Sequence, residues 1–142
     1  MADFKDMLAN RSLKATPQRM AVHAALQELV HADADAVCRH IAAGSGVKVS
    51  KASVYNTLTQ MADLGIYGRR MSADGKMHFD FDPARHLHLY DKTCHEFINV
   101  KDKGLVEAVE MFLKGRKFKG YRIESWDLQI ICRPTGKGKK AR

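Results

Sequence analysis

The stretch SKASVYNTLTQMADLG, residues 50–65, decides the fold because it predicts a helix with both ends marked. Ser50 is a good N-cap, since its hydroxyl can accept hydrogen bonds from the free N–H groups of the first turn. Gly65 is a good terminator, since it tolerates the backbone conformation that ends a helix. The predicted buried face consists of apolar residues at helical spacing, namely Val54, Leu58, Met61 and Leu64.

Two more helices are predicted before this stretch. Thr16 caps the first, and Pro17 occupies its first turn. Asp33 caps the second, which ends near Gly44. His31 lies in the short segment between them. Three short helices with tight connections indicate a helix-turn-helix. The apolar stripes are Val22, Ala25, Leu26 and Leu29 in the first helix and Ala34, Val37, Cys38 and Ile41 in the second.

A β-hairpin is predicted directly after the helices. Its strands cover residues 66–70 and 77–81, and Asp74-Gly75 forms the turn. Helices followed by a hairpin are typical of a winged helix, which we assign to residues 1–82. Asp82-Pro83-Ala84 interrupts the pattern, so a hinge is predicted at residues 83–85.

A differently organised unit is predicted for residues 86–132. Its elements come in the order strand, strand, helix, strand, at residues 86–90, 96–100, 103–117 and 121–132. The helix is predicted to bury Leu105, Val109 and Phe112. Such a small unit leaves a sheet edge and apolar helix surface open, so we expect a second copy to complete it. The sequence thus predicts an α+β fold, with an N-terminal winged helix-turn-helix domain and a small C-terminal α/β dimerisation domain.

The composition excludes several classes of protein. Lys and Arg number 24 against 16 Asp and Glu, and the resulting formal charge of +8 favours acidic partners. No apolar run approaches the roughly 18 to 20 residues of a membrane helix, and the first residues do not resemble a signal peptide. We therefore expect no membrane partner and a cytoplasmic location. Cys38, Cys94 and Cys132 form no C-x-x-C pair. Residues 133–142 are predicted to be a disordered basic tail.

The helix at residues 50–65 carries polar groups that suit DNA. An ordinary solvated helix face explains these groups equally well. Lys14, Arg19 and Lys48 nearby suit backbone phosphates and favour DNA, while Arg69 and Arg70 suit a wing. The exposed groups predicted to contact phosphates and base edges in a major groove are Lys51, Ser53, Tyr55, Asn56, Thr57 and Gln60.

A second constellation combines His31, Asp80, His86 and His88. His86 and His88 project from one face, because side chains alternate along a strand. Imidazole and carboxylate are groups that Fe²⁺, Mn²⁺ or Zn²⁺ accepts, although a lone histidine is more often structural or solvent-facing. A metal held from both sides of the hinge would set the relative orientation of two domains.

Four pieces of this sequence together resemble the ferric uptake regulator (Fur) family. They are LKATPQR at residues 13–19, VSKASVYNTL at residues 49–58, Phe79-Asp80-Phe81 and His86-x-His88. The resemblance implies a dimeric, metal-dependent winged-helix repressor, rather than an enzyme, that binds palindromic operator DNA. Thr16-Pro17-Gln18-Arg19, Tyr55-Asn56 and Asp80 are more similar to the peroxide-sensing branch (PerR) than to the iron-uptake branch.

The resemblance also implies one regulatory divalent metal per protomer, Fe²⁺ or Mn²⁺, with Zn²⁺ as an alternative. The fifth ligand, a carboxylate in the family, falls on Asn99, which can coordinate through its carbonyl oxygen. With a single carboxylate the site would hold Fe²⁺ less tightly. His95, predicted on the same strand face as Asn99, is a substitute. The other implied ligands are His31, Asp80, His86 and His88.

The family's structural zinc site has no complete counterpart in this chain. Its first C-x-x-C pair falls on Asp91 and Cys94, and beyond a displaced Cys132 the second pair is not matched. We therefore expect no structural zinc and a dimer domain held by apolar packing. The candidates for that packing are Tyr121, Ile123, Leu128, Ile130 and Ile131.

Three other functions stay open at this point. An iron- or zinc-availability regulator would share the fold and the site without sensing peroxide. A metalloenzyme could use the histidines and one carboxylate, but no general base stands out beside them and the basic helix would be unexplained. If the asparagine at position 99 prevents metal binding, the chain would be a metal-free DNA-binding protein.

Overall fold

The computed structural model describes residues 3–84 and 87–136, and the chain divides into two compact units, Met1–Pro83 and Ala84–Arg142. His86 and residues 137–142 of the predicted tail lie outside the described residues. None of the helices within the described part is long and apolar enough to cross a lipid bilayer. The first unit contains α1 (Phe4–Ala9), α2 (Pro17–Leu29), β1 (His31–Ala32), α3 (Ala34–Gly44), α4 (Lys51–Asp63), β2 (Gly68–Met71) and β3 (Met77–Asp80). The second contains β4 (Leu87–Asp91), β5 (Glu96–Asn99), α5 (Lys103–Leu113) and β6 (Leu128–Cys132).

Local signals set the starts of α2, α3 and α4. The Thr16 hydroxyl accepts a hydrogen bond from the Arg19 N–H at 3.1 Å, and the Asp33 carboxylate accepts one from the Ala36 N–H at 2.8 Å. At the start of α4, Ser50 caps the helix and exchanges hydrogen bonds with the residue three positions on. The three predicted N-caps are confirmed, because a cap depends only on residues within one helical turn.

The helices of the first unit pack around one apolar core. Leu64, which was predicted to be buried, is exposed, because α4 ends at Asp63 and Leu64 is its C-cap. The six-residue helix α1, which the sequence pattern did not predict, adds Phe4 and Leu8 to the core. The predicted stripes supply the rest of the helical core, namely Val22, Ala25, Leu26, Ala34, Val37, Ile41, Val54, Leu58 and Met61.

The sheet of the first unit has the antiparallel strand order β1-β3-β2. β1 was not predicted, since two residues are too few to show a pattern. It pairs His31 with Asp80, while β2 pairs Gly68 with the same Asp80. Gly75 in the predicted turn has φ 84°, the left-handed conformation that glycine tolerates best. His31, Asp80 and Gly68 therefore lie side by side across the three strands.

The sheet of the second unit has the order β5-β4-β6. β4 pairs antiparallel with β5 and parallel with β6, and α5 lies in the crossover that parallel strands require. α5 ends at Leu113 rather than at residue 117, and Gly115 just beyond it has φ 78°. Phe112, predicted to be buried, is 71% exposed. The predicted class, a winged helix followed by a small α/β unit, is confirmed.

Candidate metal centre and nucleic-acid surface

An imidazole and a carboxylate face each other on the first sheet. Directly opposed residues of antiparallel strands share a face, so the register of β1 and β3 places His31 beside Asp80. His31 Nδ1 lies 3.6 Å from Asp80 Oδ2, and the Asp80 side chain is 1% exposed. An imidazole nitrogen with a buried carboxylate oxygen is a donor pair that fits Mn²⁺, Fe²⁺ or Zn²⁺.

Backbone hydrogen bonds hold this pair in place. Val30 has φ 68°, a rare conformation for a β-branched residue, and it turns the chain from α2 into β1. Its carbonyl accepts a hydrogen bond from the Phe81 N–H at 2.9 Å. Asp80 Oδ1 accepts one from the Asp82 N–H, also at 2.9 Å. One Asp80 oxygen is thus engaged by the backbone, and the other is the one that faces His31.

The two neighbouring arginines of the hairpin have different surroundings. Arg69 is exposed, and its Nη2 lies 2.6 Å from Asp63 Oδ1. The Arg70 side chain is only 8% exposed, and its Nη1 lies 3.6 Å from Asp80 Oδ2. Both arginines lie on the hairpin, as predicted for a wing, but the Arg70 guanidinium is buried beside Asp80 and faces away from the surface that Arg69 occupies. Strand alternation, which places neighbouring side chains on opposite faces, is the signal that could have separated them.

The second unit carries a fully buried His88 on its central strand β4. The register of β4 and β5 places Asn99 directly opposite His88, so the two side chains share a face of the sheet. Asp127 Oδ1 lies 4.0 Å from His88 Nδ1. Asp127 was missed because only the parallel pairing of distant strands brings its segment beside β4. His86, the other predicted ligand of this strand, lies outside the described residues.

His95 does not lie near Asn99, so its prediction as a substitute ligand is wrong. It occupies the turn between β4 and β5 with φ 59°, and its Nδ1 lies 2.5 Å from the Tyr90 hydroxyl. β5 begins only at Glu96, and Asn99 lies at the other end of that strand. Strand alternation therefore cannot place His95 and Asn99 at one site.

Asp91, Cys94 and Cys132 occupy the region where the family resemblance would place zinc cysteines. Burial, and then a hydrogen bond from its Sγ to Glu96 Oε1 at 3.2 Å, raises the pKa of the Cys94 thiol. Cys132 Sγ donates to the Ile130 carbonyl at 3.1 Å. Because zinc binds the thiolate form, these surroundings oppose zinc binding at Cys94. The lack of structural zinc stays a prediction.

The face of α4 predicted to contact nucleic acid is only partly exposed. Tyr55 and Asn56 are exposed side by side. Thr57 is 8% exposed, so its predicted place on the outer face is wrong, because this position of the helix faces the core. The Ser53 hydroxyl is engaged in the capping box with Ser50. Tyr55 and Asn56 are therefore exposed α4 side chains that can reach a partner.

The basic residues around α4 are held by contacts within the protein. Lys51 Nζ lies 2.9 Å from Asp35 Oδ1, and this hydrogen bond raises the pKa of Lys51 and lowers the pKa of Asp35. The Arg19 guanidinium donates to the Lys14 carbonyl at 2.8 Å and to Gln60 Oε1 at 3.4 Å. These contacts orient the cations at the surface.

Together the fold and these side chains define a class of protein, a winged-helix protein in which an imidazole faces a buried carboxylate and the pair suits a divalent metal. The family model described as "Ferric uptake regulator family" matches residues 10–131. This chain therefore belongs to the ferric uptake regulator family, whose members are metal-responsive transcriptional regulators rather than enzymes. The resemblance predicted from the sequence is confirmed.

Individual relatives agree with this assignment. The chain is 28% identical over 133 residues to the peroxide operon regulator of Bacillus subtilis (strain 168), with 89% of each protein covered. It is similar to the solved ferric uptake regulator from Pseudomonas aeruginosa with manganese, with a TM-score of 0.75, 23% identity and coverage of 93% of this chain and 98% of that one. For the Campylobacter jejuni peroxide stress regulator the TM-score is 0.67 at 24% identity, with 96% of this chain and 99% of that one covered. The two structural likenesses support the fold.

Proposed function

We propose that this protein is a dimeric cytoplasmic repressor whose binding to palindromic operator DNA depends on one regulatory divalent metal per protomer, Fe²⁺ or Mn²⁺, with Zn²⁺ as an alternative. The observation that carries the proposal is the His31–Asp80 pair, in which the imidazole lies 3.6 Å from a buried carboxylate on the sheet of the winged helix. A buried carboxylate attracts a cation more strongly than an exposed one does, because water screens it less.

The proposed ligands come from both units of the chain. His31 and Asp80 belong to the first unit, and His86, His88 and Asn99 belong to the second. A metal that binds ligands from both units favours one arrangement of them. If operator DNA selects the same arrangement, metal and DNA strengthen each other's binding reciprocally, typically by about 1 to 3 kcal/mol.

The proposed DNA contacts lie on and around α4. Tyr55 and Asn56 contact base edges, while the cations contact backbone phosphates. Thr57 is left out because it is buried. In a dimer, the two copies of α4 enter successive major grooves about one helical turn apart. The full proposed set is Lys14, Arg19, Lys51, Ser53, Tyr55 and Asn56.

Peroxide is the proposed signal, and the relative from Bacillus subtilis, named a peroxide operon regulator, supports this choice. In the Fe²⁺-loaded protein, one oxygen atom of hydrogen peroxide is added to the imidazole of His31 or His86, and water leaves. The oxidised imidazole no longer binds the metal as before, so operator DNA is released. Mn²⁺ supports DNA binding without this oxidation.

The test compares His31→Ala with His40→Ala, a control histidine that lies on α3 and pairs with Glu28 at the surface. The DNA probe is a palindrome selected from a random pool by the Mn²⁺-loaded wild type. We expect His31→Ala to weaken Mn²⁺ binding, measured by calorimetry, by at least about tenfold and to remove the Mn²⁺ dependence of DNA binding. If His31→Ala behaves like His40→Ala in both measurements, the proposal is wrong.

A peroxide arm of the same experiment separates peroxide sensing from metal sensing. The anaerobic Fe²⁺ form receives one equivalent of hydrogen peroxide, and tandem mass spectrometry then locates any added oxygen. We expect a gain of one oxygen on His31 or His86 together with loss of DNA binding, and neither change in the Mn²⁺ form. Unmodified histidines with retained DNA binding would instead identify a regulator of iron or zinc availability.

A further inference from the structure

Asp80 lies between two groups that both approach the same oxygen atom. On the β1 side, His31 Nδ1 lies 3.6 Å from Asp80 Oδ2. On the β2 side, Arg70 Nη1 also lies 3.6 Å from Asp80 Oδ2. The same carboxylate oxygen that faces the imidazole therefore also faces a guanidinium.

Gly68 explains how Arg70 reaches this position. Gly68 is the residue of β2 directly opposite Asp80, and a Cβ there would lie 3.4 Å from the Asp80 Cβ. Arg70 lies two positions further along β2 and so shares the face of Gly68 and Asp80. A diagonal neighbour of this kind is within reach of a long side chain. Because Gly68 has no side chain, the guanidinium can approach Asp80 across it.

The Arg70 charge is permanent and poorly screened. A guanidinium does not lose its proton at any cellular pH. Both side chains are nearly inaccessible, at 8% exposed for Arg70 and 1% for Asp80. A buried carboxylate without a nearby cation is costly, so Arg70 stabilises Asp80 in the metal-free protein. The same positive charge repels any divalent cation that binds Asp80.

We propose that Arg70 is an internal competitor of the regulatory metal, which raises the metal concentration at which this protein responds. This inference rests on the proposed function, since it assumes that Asp80 is a metal ligand. Arg70 has two effects of opposite sign: it favours the folded metal-free protein and disfavours the metal complex. Asn99 stands where the family has a carboxylate ligand. Together, Arg70 and Asn99 lower the metal affinity of the site, so the protein responds only at a high metal concentration.

The test measures Mn²⁺ binding by calorimetry to Arg70→Met and to the matched control Arg69→Met. Both variants lose one positive charge from the same strand, but Arg69 pairs with Asp63 at the surface. We expect Arg70→Met to bind Mn²⁺ at least about tenfold more tightly, because a poorly screened like charge a few ångströms away is removed. Arg69→Met should differ from the wild type by less than about twofold, because exposed charges are well screened.

Two further measurements exclude a purely structural role. Without metal, Arg70→Met should melt at a lower temperature than the wild type, and saturating Mn²⁺ should raise its melting temperature by more than it raises that of the wild type. Arg70→Gln keeps a hydrogen-bond donor beside Asp80 without the charge, so it provides the affinity measurement even if the methionine variant does not fold. It should also bind Mn²⁺ more tightly than the wild type.

The outcomes distinguish this inference from the proposed function. If His31→Ala abolishes Mn²⁺ binding but the Arg70 variants bind no more tightly than Arg69→Met, the competitor role is wrong and the metal site stands. If Mn²⁺ binds equally to the wild type, His31→Ala and the Arg70 variants, both proposals are wrong.

Discussion

The two units of the chain differ in how far their apolar side chains are buried. In the first unit, residues such as Leu26 and Leu58 are fully buried among four helices. In the second, α5 buries none of its residues, and Phe112 and Ile131 are 71% and 68% exposed. Exposed apolar surface costs roughly 25 cal/mol per Å². The first unit thus carries its own core, whereas the second presents exposed apolar surface, which the proposed second copy would cover.

The largest structural change, from dimer to monomer, is expected from a charge on the apolar surface of the second unit. Ile131→Asp should convert the proposed dimer to a monomer, because a buried unpaired carboxylate would weaken association by at least about 2 kcal/mol. Sedimentation at fixed protein concentration measures this change. Met71→Asp, at an exposed apolar position of the first unit, is the control and should leave the mass unchanged. Equal masses for the wild type and Ile131→Asp would show that this surface does not hold the dimer.

The next effect compares one phenylalanine from each unit. Phe79 is 1% exposed in the core of the first unit, so Phe79→Ala should lower the free energy of unfolding by about 3 to 5 kcal/mol. Phe112→Ala, made in the Ile131→Asp background to remove the second copy, should cost less than about 1 kcal/mol. Urea denaturation followed by circular dichroism measures both. Similar costs would show that the two units are equally well packed as monomers.

The smallest expected effect is the pH dependence of the first unit. His23 stacks on Phe4 with ring centroids 3.7 Å apart, and its Nδ1 lies 2.8 Å from the Tyr67 hydroxyl. Burial lowers the pKa of His23 from 6.5 to about 4 and raises the pKa of Tyr67. Below pH 6.5 the unfolded chain binds a proton at His23 that the folded chain does not bind. The free energy of unfolding should therefore decrease as the pH is lowered from 6.5 to about 4.

Because His23 keeps some contact with water, the free energy of unfolding should decrease by about 1 to 2 kcal/mol, which is less than the full pKa shift of His23 would give. Urea midpoints at pH 7 and pH 4.5 measure it. His23→Gln should flatten this pH dependence relative to the wild type. An equal pH dependence in His23→Gln and the wild type would place the pH sensitivity elsewhere in the chain.

The residues whose burial or position the sequence pattern predicted wrongly share a physical cause. Phe112 and Thr57 were both assigned from helical periodicity, which shows that a helix has two faces but does not show how much of each face is covered. Thr57 lies close enough to the apolar stripe to be buried, and Phe112 lies on a helix whose apolar face is open. His95 was assigned from strand alternation, which fails where the strand has not yet begun.

What the sequence determined by itself is local or patterned over a few turns. The caps at Thr16, Asp33 and Ser50, the helical core stripes and the Asp-Gly hairpin follow from neighbouring residues, because their physical causes act within one or two turns of chain. The family membership follows from four short pieces of sequence taken together. The tertiary structure alone decided which distant side chains meet. The pairing of β1 with β3 placed His31 beside Asp80, and the pairing of β4 with β6 placed Asp127 beside His88, because the pattern of one strand does not show which remote strand will pair with it.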